Sequence, residues 1–233
     1  MLITRGVLMI TREGVRLKIQ ALDRKLFGAR RGANLKYREF TIISNNCWGG
    51  EIYEYYGLQK QSPTVGLFFM SDDYIRFLSD IKSYLESELL FIKPEDSKWK
   101  NYWQSKDSRF GNYPIGVLHN FRGEEVEIFF LHYKSEQQAK EKWERRCNRM
   151  NWQRLIVKFN DQNGFNQENL DQFLQLPFSN KLFFTVRKLE NMDNNCFMIH
   201  QHSGNSILAS YEPFGKTKYL NITEYINQIN VNS

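Results

Sequence analysis

Apolar and polar positions along this chain change period several times, and each change predicts an element. Val15, Ile19, Leu22 and Leu26 recur at steps of four, three and four, which predicts an amphipathic helix over 13–27. Gly28 and Gly32 mark its end. Residues 40–44 are a short apolar run and predict a buried strand; the polar turn Asn45-Asn46-Cys47 follows, then a short helix over 50–56 ended by Gly57. A second strand is predicted over 64–70, behind Ser62-Pro63. Ser71 caps the next helix, with Asp72 and Asp73 in its first turn and Ile75, Leu78, Ile81 and Leu85 on its buried face. Residues 93–113 form a polar connection carrying Trp99, Tyr102 and Trp103, too long for a plain turn and of the kind that forms lids or binding loops.

The second half repeats the alternation. Strands are predicted over 113–118 and 125–131, and the capping box that begins at Ser135 starts a helix running to about Met150. A strand over 154–159, a helix over 167–174, strands over 181–186 and 197–200, and a helix over 223–229 complete the chain. Strands interleaved with helices predict an α/β sandwich with a mixed or largely parallel sheet.

Charge divides the chain in two. Residues 1–39 hold ten Lys/Arg against Glu13, Asp23 and Glu39, an excess of seven that exceeds the +6 of the whole chain. Residues 1–39 thus read as a basic arm and 40–233 as one α/β domain. The arm either docks on the domain or lies on an anionic membrane face. Because the excess is confined to one end, a nucleic-acid-binding domain is not expected. No apolar run spans a membrane, and Arg5, Arg12 and Arg16 interrupt any signal-peptide pattern, so a cytoplasmic or peripheral inner-face location is expected. Cys47, Cys147 and Cys196 have unrelated spacings, His200 and His202 lack a carboxylate to complete a site, and neither a metal nor a cofactor is expected.

Three residues at strand ends carry candidate chemistry. Cys47 stands where a strand meets a helix N-terminus, which favours a thiolate, and the backbone N–H groups of Trp48 and Gly49 could face an oxyanion. His132, at the end of Phe129-Phe-Leu, is the candidate base, and Asp161 would orient its imidazole in a triad-like way. Each has a plainer reading: a packed thiol, a loop histidine, and the turn Asn160-Asp-Gln-Asn-Gly164. Asn45, Asn46, Trp48, Gly49 and Gly50 are the expected substrate-binding residues beside Cys47. Arg146 and Arg149, on the basic helix with Lys140, Lys142 and Arg145, are candidate forks for an acidic sugar or phosphate, against the alternative of a solvated face.

The segments FTIISNNCWGG (40–50), SPTVGLFF (62–69), YPIG (113–116), FLHYKSEQQAKEKWERRCNRMNW (130–152) and KFND (158–161) resemble an uncharacterised family of bacterial exopolysaccharide or capsular polysaccharide biosynthesis proteins. The resemblance covers about residues 36–190. It implies a three-layer α/β/α sandwich with a mixed sheet and a setting in cell-surface glycan assembly. The resemblance brings no settled catalytic residues; joined to the positions of Cys47, His132 and Asp161, it makes the expected function modification of a sugar or lipid-linked glycan, by Cys47-dependent acyl-type transfer, with a glycan or activated sugar as substrate. The alternative is a glycan-binding scaffold using the aromatics of 99–113.

Overall fold

The computed structural model describes residues 11–229; residues 1–10 of the expected arm, Arg5 among them, and 230–233 lie outside the described residues. In chain order the elements are α1 (Arg12–Gly32), β1 (Thr41–Ser44), α2 (Trp48–Tyr55), α3 (Ser71–Ser79), α4 (Ile81–Glu86), β2 (Leu90–Ile92), α5 (Lys100–Gln104), β3 (Ile115–His119) and β4 (Glu125–Phe129). Then come α6 (Glu136–Cys147), β5 (Leu155–Asn160), α7 (Gln167–Gln175), β6 (Lys181–Thr185), β7 (Cys196–Met198) and α8 (Ile222–Gln228).

β1, β5, β6 and β7 form a parallel sheet in the order β1-β5-β6-β7, with Ile42 opposite Ile156 and Phe159 opposite Phe183. Strand side chains alternate between faces. Ile42, Ile156, Leu182 and Phe184 meet α2 and α8 through Ile52, Tyr53, Ile222 and Ile226. Ile43, Val157, Phe159 and Phe183 meet α3, α6 and α7 through Tyr74, Phe77, Trp143, Leu170 and Phe173. Both faces are covered, which is why these strands read as continuous apolar runs. The result is an α/β sandwich, as expected. The antiparallel part is separate: β2, β3 and β4 form a second sheet.

Residues 64–70 do not form the expected strand. Gly66 takes φ +80°, and only Phe68 pairs, with Phe129. Phe69 N donates instead to Asn45 O at 3.0 Å. The segment is therefore a buried connector that ties the end of β1 to the end of β4. The helix expected after it breaks at Asp80 into α3 and α4. Ser71 is its first residue rather than its cap, and its hydroxyl donates to Gln162 O at 2.8 Å.

The largest departure is α1. Its apolar stripe does not dock; the opposite face does. Gly28 and Gly32 lie within the helix and let it approach the turn after α2 closely. A methyl group on Gly28 would lie 2.9 Å from Glu54 O, and one on Gly32 would overlap Tyr56 O. Arg24, buried, pairs with Glu51 at 3.1 Å, while Arg16 Nε and Gln20 Nε2 donate to Ser210 O at 2.9 and 3.0 Å.

Candidate functional site

The end of β1 is built from polar side chains that satisfy one another. Asn46 Oδ1 accepts from Trp48 N at 3.1 Å, which fixes the turn into α2, and from Ser44 Oγ at 3.1 Å. Behind it, on β5, the ammonium of the fully buried Lys158 donates to Asn46 Oδ1 at 2.9 Å and pairs with the Glu212 carboxylate. Glu212 also accepts from Asn46 Nδ2 at 3.0 Å and Asn160 Nδ2 at 2.8 Å. Asn45 Nδ2 reaches Asn160 Oδ1 at 2.8 Å, and Gln162 Oε1 accepts from Asn46 and Asn160. Burial pushes the Lys158 ammonium down, and the Glu212 carboxylate opposes that shift.

In front of this network is a cleft of about 270 Å³. It is lined by Cys47 just before α2, Gly50, Glu51 and Glu54 from α2, Arg24 from α1, Lys60, Val65 and Gly66 from the connector, and His132. His132 follows β4, which lies in the antiparallel sheet and not at the parallel edge expected for it. It reaches the cleft because His132 N donates to Gly66 O at 3.0 Å. The connector thus brings Cys47 and His132 to one cavity. They are not hydrogen-bonded: among the described residues the Cys47 thiol donates to the Leu67 carbonyl, at 3.9 Å.

Three titratable groups in the cleft are shifted. Burial, reinforced by the Glu51 and Glu212 carboxylates, pushes the Cys47 thiol up to about 12. The expected thiolate nucleophile does not fit these surroundings, because burial and two anions outweigh the start of α2. Burial also raises the Glu51 carboxyl to about 7, even against the neighbouring Arg24 guanidinium. His132 is held below its usual range by burial and by the cations Arg109 and Lys60. At neutral pH the cleft therefore holds a neutral imidazole and a carboxyl poised to give or take a proton.

Asp161 does not orient His132. Its carboxylate accepts from Thr185 Oγ1 at 2.8 Å, Val186 N at 3.0 Å and Ile207 N at 2.7 Å, which fastens the segment before Glu212 to the sheet. Asn45, Asn46, Trp48 and Gly49, expected at the substrate, are buried. Trp48 Nε1 donates to Pro213 O, and a methyl group on Gly49 would lie 3.0 Å from Ile42. Only Gly50 of that turn lines the cleft with Cys47. Arg146 is not an anion fork, because its guanidinium is buried against Val65 O and Tyr133 Oη. Arg149, half-buried just after α6, does not line the cleft.

Three residues that matter here, Lys158, Glu212 and Glu51, are outside the expectation. Lys158, the one charged residue of β5, is the available signal for a buried acidic partner. Nothing in the pattern around Glu212 marked it as that partner. Glu51 was legible only as an acid in the first turn of α2.

The profile of a family described as a domain of unknown function (DUF1919) matches residues 18–230. The match takes in most of α1 and the Glu212 segment, beyond the 36–190 of the resemblance. An uncharacterized protein of Haemophilus influenzae is 30% identical over 192 residues, 82% of this chain and 84% of that protein. With nearly the whole described fold inside that profile, the chain belongs to the DUF1919 family.

Proposed function

We propose that this protein is an enzyme of exopolysaccharide or capsule assembly that modifies a sugar or lipid-linked glycan by direct acyl-type transfer. The observation that carries the reading is the pairing, in one cleft, of a Glu51 carboxyl at about 7 with a neutral His132. His132 takes the proton of a sugar hydroxyl as its oxygen attacks the carbonyl carbon of an activated acyl donor. Glu51, protonated, gives its proton to the departing group, so the O–acyl bond forms as the donor's bond breaks. Lys60 and the buried Arg24 supply positive charge in the cleft wall. Cys47 serves as a neutral wall and not as the attacking group. A cleft of about 270 Å³ is at the small end of ligand sites, which run to roughly 300–1,000 Å³, and suits a single sugar ring.

The binding-only reading has less support, because the aromatics it needs are already used. Trp103 packs on Phe68 at 5.1 Å and Phe129 at 6.1 Å, and Trp99 Nε1 donates to Asp73 at 2.6 Å.

The test compares glycans, by mass spectrometry, from cells lacking the gene and cells complemented with wild type, Glu51→Gln or Cys47→Ser. A substituent present with wild type and with Cys47→Ser, and reduced roughly 100-fold or more with Glu51→Gln, is expected. Identical glycans in all strains, or loss with Cys47→Ser alone, would sink the proposal.

A further inference from the structure

The way α1 docks leaves an apolar stripe facing away from the protein. Val15, Ile19, Leu22 and Leu26 are 41 to 64% exposed. At about 100° per residue they fall on one side of the helix, opposite the docked Leu17, Gln20, Arg24 and Gly28. The cations sort in the same way. The inward arginines are all engaged: Arg16 with Ser210 O and the Tyr211 ring, Arg24 with Glu51, and Arg31 with Asp23 and the Tyr55 ring. Arg12, Lys18, Lys25 and Arg30 are exposed and, among the described residues, make no ion pair. On the helix wheel Lys18 and Lys25 flank the stripe on one side, and Arg12 and Arg30 on the other.

We infer that α1 seats the protein on an anionic lipid surface, with Ile19, Leu22 and Leu26 entering the headgroup boundary and the four free cations meeting lipid phosphates. An apolar stripe with lysine and arginine along both edges is the pattern of a helix lying in the interface plane. Charge chooses the occupant. A second copy placed stripe to stripe would bring two sets of unpaired cations together, whereas an anionic surface complements every one of them. Nothing in this inference depends on the chemistry of the cleft. It does set the cleft's position, because Arg24 on the docked face of α1 is part of the cleft wall.

Sedimentation of the full chain with vesicles tests it. The protein should partition onto phosphatidylglycerol vesicles, stay free of pure phosphatidylcholine vesicles, and be released by high salt. Ile19→Asp/Leu22→Asp should weaken partition at least about tenfold, with an unchanged circular dichroism spectrum and thermal midpoint. Lys18→Glu/Lys25→Glu should lose the anionic preference. Failure to bind phosphatidylglycerol, equal binding to both vesicle types, or binding that survives Ile19→Asp/Leu22→Asp overturns the inference. Concentration-dependent self-association abolished by Ile19→Asp/Leu22→Asp also overturns it, in favour of a second copy.

Discussion

Replacing Lys158 by methionine tests the buried network behind the cleft. Methionine keeps most of the stem, so little cavity opens between the Trp48 and Phe184 rings, whose centroids lie 5.8 and 5.7 Å from the ammonium. The change is electrostatic. Glu212, 3% exposed, keeps the amides of Asn46 and Asn160 but loses its cation. Removing one member of a buried pair costs about 3–5 kcal/mol, because the other charge remains buried without compensation. That is a large share of a total stability of roughly 5–15 kcal/mol. Adding Glu212→Gln should restore much of it. The buried charge is then gone, and the new amide oxygen accepts from Asn46 Nδ2 or Asn160 Nδ2. Urea unfolding followed by tryptophan fluorescence gives the three differences. The double variant should be at least about 2 kcal/mol more stable than the sum of the single losses implies. A loss below about 1 kcal/mol for Lys158→Met, or losses that add within about 0.5 kcal/mol, would refute the reasoning.

The remaining predictions concern the cleft and α1. The folded value of Glu51, about 7, lies above its ordinary 4.5, so the folded state holds this proton more tightly than the unfolded chain. Stability is therefore lost as pH rises from about 4.5 to 7, by an amount on the order of 3 kcal/mol. His132, held low, acts in the opposite sense and costs stability as pH falls through its ordinary 6.5. Urea unfolding at about pH 5 and pH 8 should show a smaller drop for Glu51→Gln than for wild type; equal drops would show that Glu51 is not shifted. The Cys47 thiol should label far more slowly than free cysteine at neutral pH, read by mass spectrometry of alkylated peptides, and fast labelling would contradict its burial. Gly28→Val should break the contact of α1 with the turn at Gly57, raising hydrogen exchange across α1 and lowering stability by about 1–3 kcal/mol. Unchanged exchange would mean that the close approach is not what holds the helix.

Strands β1, β5 and β6 are legible in the sequence because helices cover both sheet faces, and a strand buried twice carries a mostly apolar run. The segment 64–70 is equally apolar and is not a strand. Burial alone does not require pairing, and Gly66 at positive φ turns the chain out of the strand path. The orientation of α1 was illegible for a different reason. The usual rule docks the apolar stripe, whereas here Gly28 and Gly32 permit backbone contact and Arg24 and Arg16 find specific partners. At the site, Cys47 and His132 were placed in one cavity by a connector that the pattern did not reveal. Asp161 and Glu212 show the limit of strand-end reasoning. Both lie close to the sheet edge, yet Asp161 is used to hold a loop, and the carboxylate that enters the network arrives from a non-repetitive segment far along the chain.

That late arrival bears on how the molecule is made. Asn46 and Glu212 are 166 residues apart. A growing chain produces β1, α2 and β5 long before it can supply the counter-charge for Lys158. During that interval, closing the parallel sheet over Lys158 buries an ammonium without its partner, at a cost of about 3–5 kcal/mol. Full closure of the sheet over this network waits for residue 212 to be made, and a chain that stops before it is left open to proteolysis and chaperone capture.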